Sequence, residues 1–185
     1  MKNLELDKGQ KQLLLKIARE TVDSKVTGSA PGGYDIDDPV LNTGCGAFVT
    51  IHRLGNLRGC IGNITATTPL WMTVMTMAEE ASMRDPRFPP VSPDELEDID
   101  IEISAISPLQ KIGDIKEIEV GKHGILIRKG FSQGLLLPQV AAENGFDRIS
   151  FLEHTCLKAG LARNCYREQG CEIFIFSAVV FGEVR

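Results

Sequence analysis

Ala47-Phe48-Val49-Thr50-Ile51, the pair Gly55-Asn56 and the run Leu57-Arg58-Gly59-Cys60-Ile61-Gly62 decide the fold. An apolar run, a turn signal and a second extended run read as a β-hairpin. Side chains on the second strand alternate between faces, so Arg58 and Cys60 are expected on one face with Cα atoms about 7 Å apart. A guanidinium beside a thiol raises its thiolate fraction, and the thiolate is the nucleophile and the metal ligand. Gly59 and Gly62 lack a Cβ, so backbone or ligand can approach the sulfur closely. The same residues also read as packing, with Cys60 a small buried hydrophobe and the glycines marking a bulge.

Upstream of the hairpin, Leu14, Ile17, Ala18, Thr21 and Val22 recur at helical spacing and predict an amphipathic helix from Asp7, its N-cap, to about Lys25. Residues 27–38 gather glycine, proline and aspartate and read as a loop. Downstream, Pro69 opens a second helix through Trp71, Val74, Met75, Ala78 and Ala81, which ends near Arg84 because Pro86, Pro89 and Pro90 cannot continue it. Met72, Met75, Met77 and Met83 read as core filler.

Ile99, Ile101 and Ile103 alternate with Asp98, Asp100 and Glu102, a strand with one core face and one wet face. The acidic row reads as solvated carboxylates in preference to a hard-cation site. Residues 124–128 and 134–137 form another hairpin around Gly130-Phe131-Ser132-Gln133, and Pro138 starts a short helix stopped by Gly145. Ile149, Leu152, Cys156 and Ala159 mark a further helix stripe ending at Gly160, and Glu172 to Val184 reads as one long central strand. Strands grouped by tight turns, with helices between the groups, predict an α+β fold with mainly antiparallel sheet. No internal repeat or long linker interrupts it, so residues 1–185 read as one domain.

The 185 residues are 43% hydrophobic and 24% charged, the composition of a soluble globular protein. A net charge of −5 repels phosphate backbones, and no basic stripe offsets it, so nucleic acid is disfavoured as a partner. The N-terminal MKNLELDKGQ lacks a signal-peptide h-region and no apolar stretch is long enough to span a bilayer, which leads us to expect a cytoplasmic protein without a membrane partner. Five cysteines without a CxxC pair suggest reduced thiols over a disulfide framework. P-loop, Rossmann, nucleophile-elbow, zincin and zinc-ribbon signatures are all missing.

Three other segments carry polar groups with possible roles. Asp85 and Arg87 lie in the stiff turn Arg84-Asp85-Pro86-Arg87-Phe88-Pro89-Pro90, where Arg87 either clamps an anionic ligand or pairs with Asp85 to fix the loop. Gln139 and Glu143 stand one turn apart on the helix that Pro138 opens, facing either an anion or solvent. His154 and Lys158 share a helix face away from the apolar stripe, so His154 either serves a thiol elsewhere as base or is plain surface, whereas Cys156 falls inside the stripe as an inert core thiol. His52 and His123 have no visible partner. His154, Cys156, Cys165 and Cys171 match none of the common zinc spacings, so neither a metal nor a cofactor is assigned.

Taken together, GAFVTI at 46–51, LRGCIG at 57–62, DPRFPP at 85–90, GLLLPQVAAENG at 134–145 and FLEHTCLKAGL at 151–161 closely resemble the AMMECR family, in order and over nearly the whole chain. The resemblance implies two unequal, closely packed lobes with a cleft, the larger built from both chain ends around an antiparallel sheet, with LRGCIG as the centre of function. It also implies association with Memo-type proteins or radical-SAM proteins, and brings no reaction with it. Phe146 and Tyr166 stand where tryptophans are expected, which weakens any aromatic platform there.

Two functions follow as expectations. In one, Cys60 is a nucleophile or redox thiol, Arg58 activates it, backbone amides stabilise an oxyanion, His154 or Glu143 carries the proton, and Arg87 holds a small anionic substrate. In the other, Arg58, Arg87 and Gln139 hold an anionic ligand, or the cleft docks a Memo-type partner, while Cys60 only fits a tight space. With no complete catalytic constellation in the local sequence, the binding or accessory role is the leading expectation.

Overall fold

A computed structural model of the chain describes residues 4–30, 32–65 and 67–183. The chain divides into two compact units, one of Leu4–Ile106 with residues 179–183 and a smaller one of Ser107–Ala178. The larger therefore combines an N-terminal stretch with a returning C-terminal one.

The larger unit contains α1 (Lys8–Thr27), β1 (Gly46–Arg53), β2 (Asn56–Asn63), α2 (Leu70–Met83), β3 (Ile99–Ile106) and, after the chain returns, β8 (Ala178–Gly182). Asp7 starts α1 where expected: its carboxylate accepts the Gln10 amide at 2.8 Å, and the Gln10 side chain accepts the Asp7 amide at 2.9 Å. This reciprocal cap satisfies two orphan donors. Gly28, in the left-handed region at φ 73°, ends the helix.

The sheet runs β2-β1-β3-β8, with β1 antiparallel to both neighbours. Its apolar face, which includes Val49, Ile51, Ile101 and Ile103, packs into one core with Leu14, Ala18 and Val22 of α1 and Leu70, Val74 and Ala78 of α2. Burying each large aliphatic side chain contributes about 1.5–3 kcal/mol. Arg19 of α1 pins Glu183, donating to its Oε1 and to the Ile99 carbonyl, each at 2.9 Å, while Glu183 accepts the Ile101 amide.

The expected methionine core is smaller than the spacing suggests. Met77 packs against the core, but Met72 is exposed and Met75 and Met83 are half-buried. The buried stripe of α2 follows Leu70, Val74, Ala78 and Ala81, and Met72 lies two residues, about 200°, around the helix from Leu70.

The smaller unit holds β4 (Gln110–Ile112), β5 (Gly124–Lys129), β6 (Ser132–Leu136), α3 (Pro138–Glu143), α4 (Arg148–Lys158) and β7 (Glu172–Phe176). Its sheet runs β4-β7-β5-β6 with antiparallel pairs throughout. Ile125, Ile127, Ile173 and Ile175 pack with Ala141 of α3 and with Phe151, Leu152 and Cys156 of α4. The stripe on α4 is displaced from the expected one, since Ile149 is exposed and Phe151 and Thr155 are buried.

Two expectations are corrected here. The apolar run from Glu172 is not one strand, because Ser177 breaks it: its amide donates to Ser107 Oγ and its carbonyl accepts the Ser107 amide, both at 2.9 Å. Before the break, β7 is central in the smaller unit's sheet, and after it β8 forms an edge of the larger one. Both halves are apolar for separate cores, which mimics one continuous central strand. Val184 lies outside the described residues. The cysteines are not all free either, for Cys156 and Cys165 form a disulfide, which leaves Cys45, Cys60 and Cys171 as thiols. The short turn at Cys165–Arg167 returns against α4, a tertiary contact invisible to spacing.

Two measurements follow from this architecture. Thiol titration of the denatured, unreduced protein is expected to give three free thiols and, after reduction, five; five at the outset would contradict the bridge. The β1–β2 turn places Leu54 at φ 50° and Gly55 at φ 79°. A leucine in this left-handed conformation is strained and 69% exposed. Leu54→Asn is therefore expected to stabilise the protein by about 1 kcal/mol in denaturant unfolding, with no change in m-value.

Candidate functional site

The expected hairpin forms, but its register is not uniform. Gly59 opposes Ile51 and Leu57 opposes His52, so Arg58 is an extra residue in β2, a bulge that takes it out of simple alternation. Its guanidinium is engaged by other groups. Nε donates to Glu95 Oε1 and Nη2 to Glu95 Oε2, each at 2.8 Å, while the Pro89 and Pro90 carbonyls accept at 2.9 and 3.1 Å. Glu95 is buried and also accepts from Arg53 Nη1 and the Ser92 amide, both at 2.9 Å. The Arg58 hydrogen bonds above all hold the Glu95 carboxyl down at about 2.

Cys60 is half-buried opposite Thr50, whose hydroxyl donates to Sγ at 3.3 Å. Its backbone is clamped from the outer side of β2, the free edge of the sheet. The Cys60 amide donates to Asp85 Oδ2 at 2.8 Å and the Cys60 carbonyl accepts Arg87 Nη2 at 2.9 Å. Arg87 also donates through Nε and Nη2 to the two Asp85 oxygens at 2.9 and 2.6 Å. The Asp85–Arg87 pair thus supplies one acceptor and one donor to a strand edge, in place of a neighbouring strand. Asp85 is 2% exposed, and the Arg87 hydrogen bonds hold its carboxyl well below the usual range.

The two glycines admit parts of the chain itself. A Cβ on Gly59 would lie 2.3 Å from the Ala81 carbonyl oxygen of α2, and one on Gly62 would lie 2.1 Å from the Phe48 ring. Close packing therefore requires both, on grounds independent of any ligand.

Of the nine nominated residues, Arg58, Gly59, Cys60, Gly62, Asp85 and Arg87 belong to the larger unit, and Gln139, Glu143 and His154 to the smaller. Gln139 is half-buried and Glu143 exposed on α3. His154 stacks on Phe146 with ring centroids 4.3 Å apart and planes 15° from parallel. Thr50 and Glu95 were not nominated. Thr50 comes opposite Cys60 only through the bulge at Arg58, and Glu95 is 37 residues from Arg58 with no local signal. Among the described residues, no group of three or more His, Cys, Asp or Glu side chains could hold a metal ion, and no helix is long and apolar enough to cross a membrane.

Two four-stranded antiparallel sheets, each packed with two helices, together with a cysteine strand locked by an Asp–Arg pair, define an α+β protein of the class the motifs suggest. The chain belongs to the AMMECR1 family, whose model matches residues 15–181. It is similar to a protein of Methanothermobacter thermautotrophicus, 40% identical over 190 residues covering 99% of each chain. A protein of Methanosarcina acetivorans is 40% identical over 182 residues, covering 93% of this chain and 90% of that one. Among solved structures it is similar to PH0010 from Pyrococcus horikoshii, with TM-score 0.82 and 34% identity over 94% of this chain and 91% of that chain.

The Glu95 carboxyl links this region to pH. Its folded pKa of about 2 lies below the ordinary 4.5, so its contribution is fully present above pH 4.5 and is lost as pH falls through about 2. Denaturant unfolding of the native protein is expected to weaken over that window, and Glu95→Gln to flatten the decline. Equal slopes for the two proteins would contradict the assignment.

Proposed function

We propose that this AMMECR1-family protein is a cytoplasmic binding or accessory protein whose recognition surface is the locked edge of β2 at Cys60, with Arg87 as the contact for an anionic small molecule. One observation carries the reading. Arg87 is fixed through Nε and Nη2, while its Nη1 makes no hydrogen bond among the described residues and the side chain is 53% exposed. A guanidinium already held in place loses little conformational freedom when an anion arrives. Asp85 offsets the charge, so recognition here rests on geometry more than on net attraction. A Memo-type or radical-SAM partner offering a carboxylate is the protein form of the same proposal.

A cysteine-dependent enzyme acting on a small anionic substrate or a modified side chain is the second reading, favoured by the Thr50 hydroxyl on the Cys60 sulfur. Against it, the Cys60 amide is taken by Asp85 and the Arg58 guanidinium by Glu95, which removes a nearby oxyanion donor and the expected cationic activator.

Thermal-shift screening with small anionic metabolites separates the two. The binding reading expects a stabilising compound whose effect disappears in Arg87→Gln and whose affinity is kept within a few-fold in Cys60→Ser. It also expects iodoacetamide to label Cys60 at pH 7 no faster than an unstructured thiol. Rapid labelling, with binding lost in Cys60→Ser and retained in Arg87→Gln, would overturn it in favour of the enzyme.

A further inference from the structure

The smaller unit carries an open groove of about 500 Å3 with a chemistry unlike that of the Cys60 edge. Its walls are the apolar side chains of Leu136 on β6, Val140 on α3, Phe146 in the turn between the helices and Leu157 on α4. His154 completes the wall, its ring stacked on that of Phe146. Lys158 lines the same groove one helical turn beyond His154. Its side chain is exposed, and its ammonium makes no ion pair or hydrogen bond among the described residues.

We propose that this groove is a binding site for a small planar aromatic carboxylate, its ring packed against the Phe146–His154 pair and the apolar wall and its carboxylate on Lys158. Three features select that ligand class. A ligand ring packed offset or edge-on against the Phe146–His154 pair gains attraction beyond its area burial. Leu136, Val140 and Leu157 supply the apolar surround that most small-molecule sites share. Among the described residues lining the groove, Lys158 is the single unpartnered lysine or arginine, which matches one negative charge and not a polyphosphate. Leu157 is 43% exposed, and a seated ring would cover apolar surface that now faces water.

The test uses 2-naphthoate as probe, followed by amide chemical shifts of the full chain. Saturable shifts confined to β6, α3 and α4 are expected. Lys158→Gln, an exposed substitution that leaves the core untouched, is expected to weaken binding about fivefold, the weight of one exposed ion pair. The neutral 2-naphthamide is expected to bind wild type about fivefold more weakly and to ignore the substitution. Shifts centred elsewhere, no saturation up to about 5 mM, or equal affinities for Lys158→Gln and wild type would overturn the proposal.

Discussion

The carboxylate of Asp85 organises the whole Cys60 locus. It is buried beside the free edge of a sheet, where a charged group costs several kcal/mol to desolvate unless its oxygens are matched by donors. The Cys60 amide, the Arg87 amide and the Arg87 guanidinium supply them. In satisfying one acid, those donors fix the strand, the proline-rich turn and an outward-facing arginine in a single arrangement. A second pair, Arg58 with Glu95, ties the same strand to the segment that follows the turn. Both anions are held ionised by their arginines, so the region carries matched charges rather than a positive field.

Local chemistry made much of the fold legible. The Asp7 cap, the isoleucine alternation in β3 and the two hairpins act over a few residues, and each forms in the segment where the residues indicate. What spacing could not show was set by tertiary contact. The bulge at Arg58 arises from the pairing of β2 with β1 and defeats a simple two-residue period. The Cys156–Cys165 bridge depends on a turn folding back on α4, and the break at Ser177 on a change of sheet within an apolar run.

At the candidate site, the partners of each side chain were only partly legible. Asp85 pairing with Arg87 was one of two readings open from the turn itself, and the structure combines it with exposure of the arginine. The glycines looked like room for a ligand, yet the Ala81 carbonyl and the Phe48 ring fill that room. Arg58 looked like a partner for the thiol until Glu95, far along the chain, claimed it. A residue type can advertise a chemistry, but its partners decide whether that chemistry is available.

The claim that a side-chain pair stands in for a missing strand is tested most directly by hydrogen exchange at a single amide. The Cys60 N–H should exchange much more slowly than an unstructured peptide in the native protein. In Asp85→Ala that protection should be lost, while amides bonded between β1 and β3 remain slow. Free exchange of the Cys60 amide in the unsubstituted protein would contradict the account.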